Sequence, residues 1–192
     1  MDLNLIRRMM SRKKMKIKET LLKDRSKETC AEIVAYIGTD KGKLSEFMEA
    51  ILSSDYELSQ KASWVLQFIT DSRPELLDLY QQDLLEKIKQ EGNHDAVLRA
   101  IMRHWGEYGF PESIEGEVYD LGFKYLEGNY AIAIKAHAMS ACLRLVKKYP
   151  ELATEFYLLM QEVVLKYGES SAGIKSRGIK IIKELEKFKG NL

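Results

Sequence analysis

The sequence predicts an all-α chain, a solenoid of about four stacked helix pairs preceded by an N-terminal helix. Three observations predict it. Apolar residues recur at spacings of three and four along almost the whole chain, the pattern an amphipathic helix requires. The only three prolines, Pro74, Pro111 and Pro150, each stand before a glutamate, which suits the first turn of a helix, where a missing N–H costs nothing. A second marker keeps step with the first. Asp55, Asn93, Asn129 and Glu169 each precede a cation by six positions, Lys61, Arg99, Lys135 and Lys175, and a small residue follows each cation: Ala62, Ala100, Ala136 and Ser176. Self-similarity at this period is the mark of a helical repeat array.

Residues 1–27 hold ten Lys/Arg against three Asp/Glu, so residues 1–25 read as a basic arm or a loosely held helix. Leu3, Ile6, Met9 and Met10 offer only a short apolar stripe there. The first clearly patterned helix covers about 26–37 and stops at Gly38, a usual C-terminal signal. Helices over 41–53 and 55–70 form the first pair. The next pairs are 74–91 with 94–108, 111–127 with 130–148, and 150–167 with 171–188. The polar marker lies where an N-cap is wanted, with Ser170 or Ser171 a better cap than Glu169. Nothing reads as a strand pair, and the connections of two to five residues suit antiparallel neighbours. Each pair leaves an apolar face for the next to cover, so 26–192 is expected to be one domain. The last helix, polar outside through Lys180, Lys183 and Lys187, suits a terminal cap.

A helix opening near Pro-Glu, a tight polar turn, then Asp/Asn followed six residues later by Lys/Arg-Ala, resembles HEAT repeats. The resemblance covers about 40–188. With its KASWVL and AGIKSRGIKIIKEL segments, the chain is similar to small stand-alone bacterial HEAT-like proteins. It implies a right-handed α-α superhelix of the armadillo type, with the first helix of each pair on the convex side and the second on the concave side. Tetratricopeptide repeats, with a more uniform 34-residue period, fit the spacing less well.

Charge sorts by helix. The helices opening at Pro-Glu carry five acids to two bases over 74–91, five to one over 111–127 and three to one over 150–168. Their partners run the other way, zero to four over 129–149 and three to six over 169–189. By the resemblance, Lys61, Arg99, Lys135 and Lys175 would form a ladder on the concave surface, joined by Arg103, Arg144 and Arg177. Two readings of the ladder stand side by side. Each cation satisfies helix-end carbonyls of its own repeat, or the row binds an anionic partner. Trp64 and Trp105 lie beside it as core residues or as aromatic anchors, with Trp105, near a helix end, expected to be the more exposed of the two.

Chemistry of other kinds has little support. His94, His104 and His137 show no metal-ligand spacing, there is no paired CxxC, and no nucleophile elbow or phosphate loop occurs. Glu112, Glu115 and Asp120 read as a solvated helix face. No cofactor is expected and no enzyme activity. Cys30 and Cys142 read as buried reduced thiols of a cytoplasmic protein, no apolar run reaches the ~20 residues of a membrane span, and no secretory signal is expected. The expected role is a non-enzymatic scaffold that binds another protein, one with an acidic segment, through the concave basic surface. The alternative is nucleic-acid binding by that surface and the N-terminal arm; HEAT-like DNA glycosylases use such a scaffold, but their active-site pattern is not matched here.

Overall fold

The computed structural model describes residues 15–24 and 26–189. All the regular structure among them is helical. Residues 1–14, most of the expected basic arm with its Leu3–Met10 stripe, lie outside the described residues. Contacts group the chain into two compact units that part between Leu76 and Leu77.

The first unit holds α1 (Ile17–Lys23), α2 (Lys27–Ile37), α3 (Lys41–Ile51) and α4 (Tyr56–Ser72). Its centre is α4, which touches the other three and buries Ala62, Val65, Leu66 and Ile69. Short polar side chains start the helices. Ser26 accepts from the Thr29 N–H, Asp40 from the Gly42 and Lys43 N–H groups, and Asp55 from the Leu58 N–H, each satisfying a donor that the helix leaves unpaired. Gly38 ends α2 at a φ of 51°, which favours a residue without a Cβ. The part of the expected arm that is described is a docked helix: Ile17 and Leu21 are buried, and the Ile17 N–H donates to Glu46 at 3.1 Å.

The second unit holds α5 (Gln81–Lys89), α6 (Asp95–Tyr108), α7 (Glu115–Glu127), α8 (Ile132–Lys148), α9 (Ala153–Tyr167) and α10 (Ala172–Lys189). Each Pro-Glu pair opens a 3-10 segment, at Pro74–Tyr80, Glu112–Ile114 and Pro150–Leu152, and the α-helix begins only after it. No side chain caps α5, α7 or α9, and the entry closes on tight backbone bonds instead, such as Ile114 N–H to Pro111 O and Leu152 N–H to Tyr149 O. Tightened i→i+3 bonds are one of the few ways to satisfy a helix end without a cap.

The polar markers divide the labour of closing turns. Asn93 caps no helix start; its amide donates to Lys87 O at 2.7 Å and Gln90 O at 2.9 Å, closing the end of α5. The neighbouring His94 is the cap of α6, its Nδ1 accepting from the Ala96 N–H at 2.9 Å. At α10 the cap is Ser171, which accepts from the Ile174 N–H at 3.3 Å. No side chain caps α8.

Helix α8 is the hub of the second unit, packed on α6, α7, α9 and α10. Glycines allow its close approaches. A Cβ on Gly106 would stand 3.0 Å from Ser140 Cβ, and one on Gly122 would stand 2.2 Å from Cys142 Sγ. Alanine within a helix ordinarily gains about 1 kcal/mol over glycine. At position 122 the overlap with a fully buried thiol outweighs that gain, because forced overpacking costs about 1–3 kcal/mol. Gly122→Ala is therefore expected to lower stability by up to about 2 kcal/mol in urea unfolding; a stabilised Gly122→Ala protein would contradict the packing.

Candidate functional site

The four ladder cations have different fates. Lys61, in the first unit, donates to Leu22 O at 2.8 Å and pairs with Glu57 at 2.7 Å. It ties the end of α1 to α4. Lys135 goes further in the same sense. It is 0% exposed, and its ammonium donates to Tyr125 O at 2.8 Å, Leu126 O at 2.7 Å and Gly128 O at 2.5 Å. The Tyr167 ring covers it at 4.5 Å. These carbonyls end α7, where no fifth residue of the helix is present to bond them. Burial lowers the Lys135 pKa, and the ring of acceptors is what keeps a cation there. Lys135 is thus a core residue and leaves the expected contact row. Lys175 is exposed and its amine makes no ion pair among the described residues.

The two tryptophans are ranked opposite to expectation. Trp105 is 0% exposed and Trp64 is 41% exposed. Position near a helix end suggested an open Trp105, but its indole N–H donates at 2.8 Å to the buried Gln81 side chain, and Phe110 meets its ring edge-on at 6.2 Å. Trp105 is core. Trp64 lies on α4 in the first unit, one turn on from Lys61.

In the second unit the cations that remain do converge. Helices α6, α8 and α10 line up side by side, and arginines stitch them together. Arg144 reaches from α8 to Glu107 O and Tyr108 O at the end of α6, at 3.4 and 3.3 Å. Arg177 reaches from α10 to Ala136 O at 2.8 Å and Ser140 Oγ at 2.9 Å on α8. Arg103 pairs with Glu107 one turn along α6 at 3.0 Å. Beside them lies a cleft of about 510 Å³ lined by Glu107, His137, Ser140, Gly173, Ser176, Arg177 and Lys180.

His137 reports how dense the charge is. Burial lowers its pKa to about 4, and the charges of Arg177, Arg103 and Arg99 act on it in the same direction, while Glu107 opposes them. The imidazole is therefore neutral at pH 7, among cations from both flanking helices. Arg99 adds a further feature: its Nε is shielded from solvent and has no hydrogen-bond partner. Buried donors are nearly always paired, so this one is suited to an incoming acceptor. Of the residues expected from sequence, Arg99, Arg103 and Arg177 meet here. His137, Ser140 and Lys180 were not foreseen. His137 and Ser140 stand one turn apart on α8, and Lys180, expected on the outer side of the last helix, stands one turn after Arg177; only the side-by-side alignment of α6, α8 and α10 brings them together.

No group of three or more His, Cys, Asp or Glu among the described residues is arranged to hold a metal ion. No helix among them is long and apolar enough to cross a membrane. A family model described as a HEAT repeat domain matches residues 17–185. No curated protein and no solved structure matches the chain.

Proposed function

Since the chain belongs to the HEAT repeat family, whose members generally serve as scaffolds for protein–protein interaction and are typically non-enzymatic, we propose that it binds another protein through the concave, partly basic face formed by α6, α8 and α10. The contact residues in this reading are Arg99, Arg103, Lys175 and Arg177. The observation that carries it is the convergence of Arg99, Arg103 and Arg177 on His137 over a cleft whose other walls are small or polar. Such a face lets a partner's main chain approach closely while the rim supplies charge for an acidic segment. In the first unit Lys61 serves structure, and Trp64 is the exposed aromatic of the kind that anchors interfaces. The reading includes a cytoplasmic location, which the buried free thiols Cys30 and Cys142 support, since thiols stay reduced there.

A photo-crosslinking residue at Ser176 is expected to capture a protein in cells, and one at the outward Glu162 of α9 is not. Lys175→Glu with Lys180→Glu, both exposed positions, is expected to remove the adduct without lowering the melting temperature. Capture of nucleic acid at Ser176, with duplex binding that falls steeply with salt, would replace the protein reading by the nucleic-acid one. Equal capture from both faces would end the assignment of the surface.

A further inference from the structure

The charges around the cleft do not balance, and the imbalance indicates what fills it. Glu107 is the one acid in the lining, and Arg103 already holds it at 3.0 Å. Arg177 directs Nη1 to neutral acceptors, the Ala136 carbonyl and the Ser140 hydroxyl, so its charge is fixed in position and left uncompensated. Lys180 and Arg99 make no ion pair among the described residues, and Arg99 Nε lacks any acceptor. Two cations, Arg177 and Lys180, thus line the cleft, and a third, Arg99, acts on its His137 wall from α6, with no anion assigned to any of them. The Ser140 and Ser176 side chains add neutral hydroxyls to the lining. Gly173 also lines the cleft, and even a Cβ there would meet only Ser171 Oγ, at 3.9 Å.

We propose that this cleft is the receptor for a phosphomonoester dianion, carried as a phosphorylated side chain on the bound protein. The proposal rests on the scaffold reading and specifies its partner. A carboxylate brings one charge and two oxygens, which leaves most of the cationic excess unpaired. A phosphomonoester brings about −1.5 to −2 charges and three strong acceptor oxygens, enough to take donors from α6 and α10 at once. Arginine forks and a lysine point charge are the side chains that suit this geometry. Arg177 is preorganised for the task by its bonds to α8, so little further ordering is needed on binding. A phosphodiester backbone offers one charge per phosphate and fits the excess less well.

The test uses the full chain and O-phospho-L-serine as probe, with the His137 ring resonances followed by NMR at constant ionic strength. His137→Gln identifies the signal. Phosphoserine is expected to shift it saturably and to bind about tenfold more tightly than L-glutamate, as a charge-assisted dianion should. Arg177→Gln should abolish the shift. Because that change also removes a tie between α10 and α8, Lys180→Gln is the second variant; it should weaken binding at least about threefold with the melting temperature unchanged. Equal affinity for L-glutamate, a shift that follows ionic strength alone, or an unaltered response in Lys180→Gln would each overturn the proposal. If phosphoserine fails while crosslinking at Ser176 still captures a protein, the phosphate assignment falls and the scaffold reading stands.

Discussion

Lys135→Met is expected to destabilise the second unit by about 3–5 kcal/mol, the largest effect of any single change foreseen here. Methionine nearly matches the volume of the lysine stem, so little cavity opens. What is lost is the ammonium that closes Tyr125 O, Leu126 O and Gly128 O. A buried acceptor left without a partner costs about 1–3 kcal/mol, and two, Tyr125 O and Leu126 O, are orphaned together, while Gly128 O keeps the Tyr130 N–H at 3.1 Å. Relief of the lysine's desolvation offsets part of that sum, and loss of the contact with the Tyr167 ring at 4.5 Å adds to it. Lys135→Arg should not rescue the protein, because a planar fork cannot replace a compact three-donor group inside a cage built around it. The measurement is urea unfolding followed by tryptophan fluorescence in a Trp64→Phe background, which leaves Trp105, one of only two tryptophans, to report on the second unit. A Lys135→Met midpoint indistinguishable from the parent's would show that the carbonyls find other donors and that the cage is dispensable.

The fate of Lys135 also shows how far sequence could be read. Most helix bounds were legible to within about four residues because their signals are local: Ser26, Asp40 and Asp55 cap, Gly38 terminates, and apolar residues recur at three and four; the helix expected over 74–91 is α-helical only over Gln81–Lys89. The Pro-Glu entries were placed correctly but not their 3-10 geometry, since the absence of a cap acts on backbone bonds that leave no sequence mark. The cation ladder was a true periodicity with more than one cause. Lys61 and Lys135 reach helix-end carbonyls, whereas Arg99 stands among other cations, and spacing alone cannot tell a cation that looks inward from one that looks out. Trp105 failed for a related reason. Its partner, Gln81, lies 24 positions away, and nothing near the tryptophan in sequence announces an acceptor. The cleft needed two facts beyond sequence, the alignment of α6, α8 and α10 and the anchoring of Arg177 on α8.

Gln81 also determines the acid response of the second unit. An indole N–H can only donate, so Trp105 at 2.8 Å requires Gln81 Oε1 as acceptor. The amide nitrogen is thereby turned to Leu77 O and to His104 Nε2, each at 3.1 Å. An amide N–H donates, so Nε2 must accept and the ring must be neutral with its proton on Nδ1. A second proton would set two donors against each other at a residue only 2% exposed. Burial holds the His104 pKa at about 4, against 6.5 in the open chain. Below pH 6.5 the unfolded chain therefore takes up a proton that the folded chain refuses. The stabilisation is fully present above that pH and is lost as pH falls towards 4. At pH 5 the loss from His104 comes to about 2 kcal/mol. His137 shifts in the same direction but is only half-buried, and solvent screening makes its share smaller. Carboxylates add their own slope, so the informative quantity is the difference between the parent and His104→Gln, which keeps an acceptor for Gln81 and cannot be protonated. Urea unfolding at pH 7 and pH 5, read through Trp105, should give His104→Gln a pH loss smaller by about 2 kcal/mol. Identical losses in the two proteins would mean that His104 is protonated as readily in the fold as outside it, and the acceptor role deduced from Trp105 and Gln81 would be wrong.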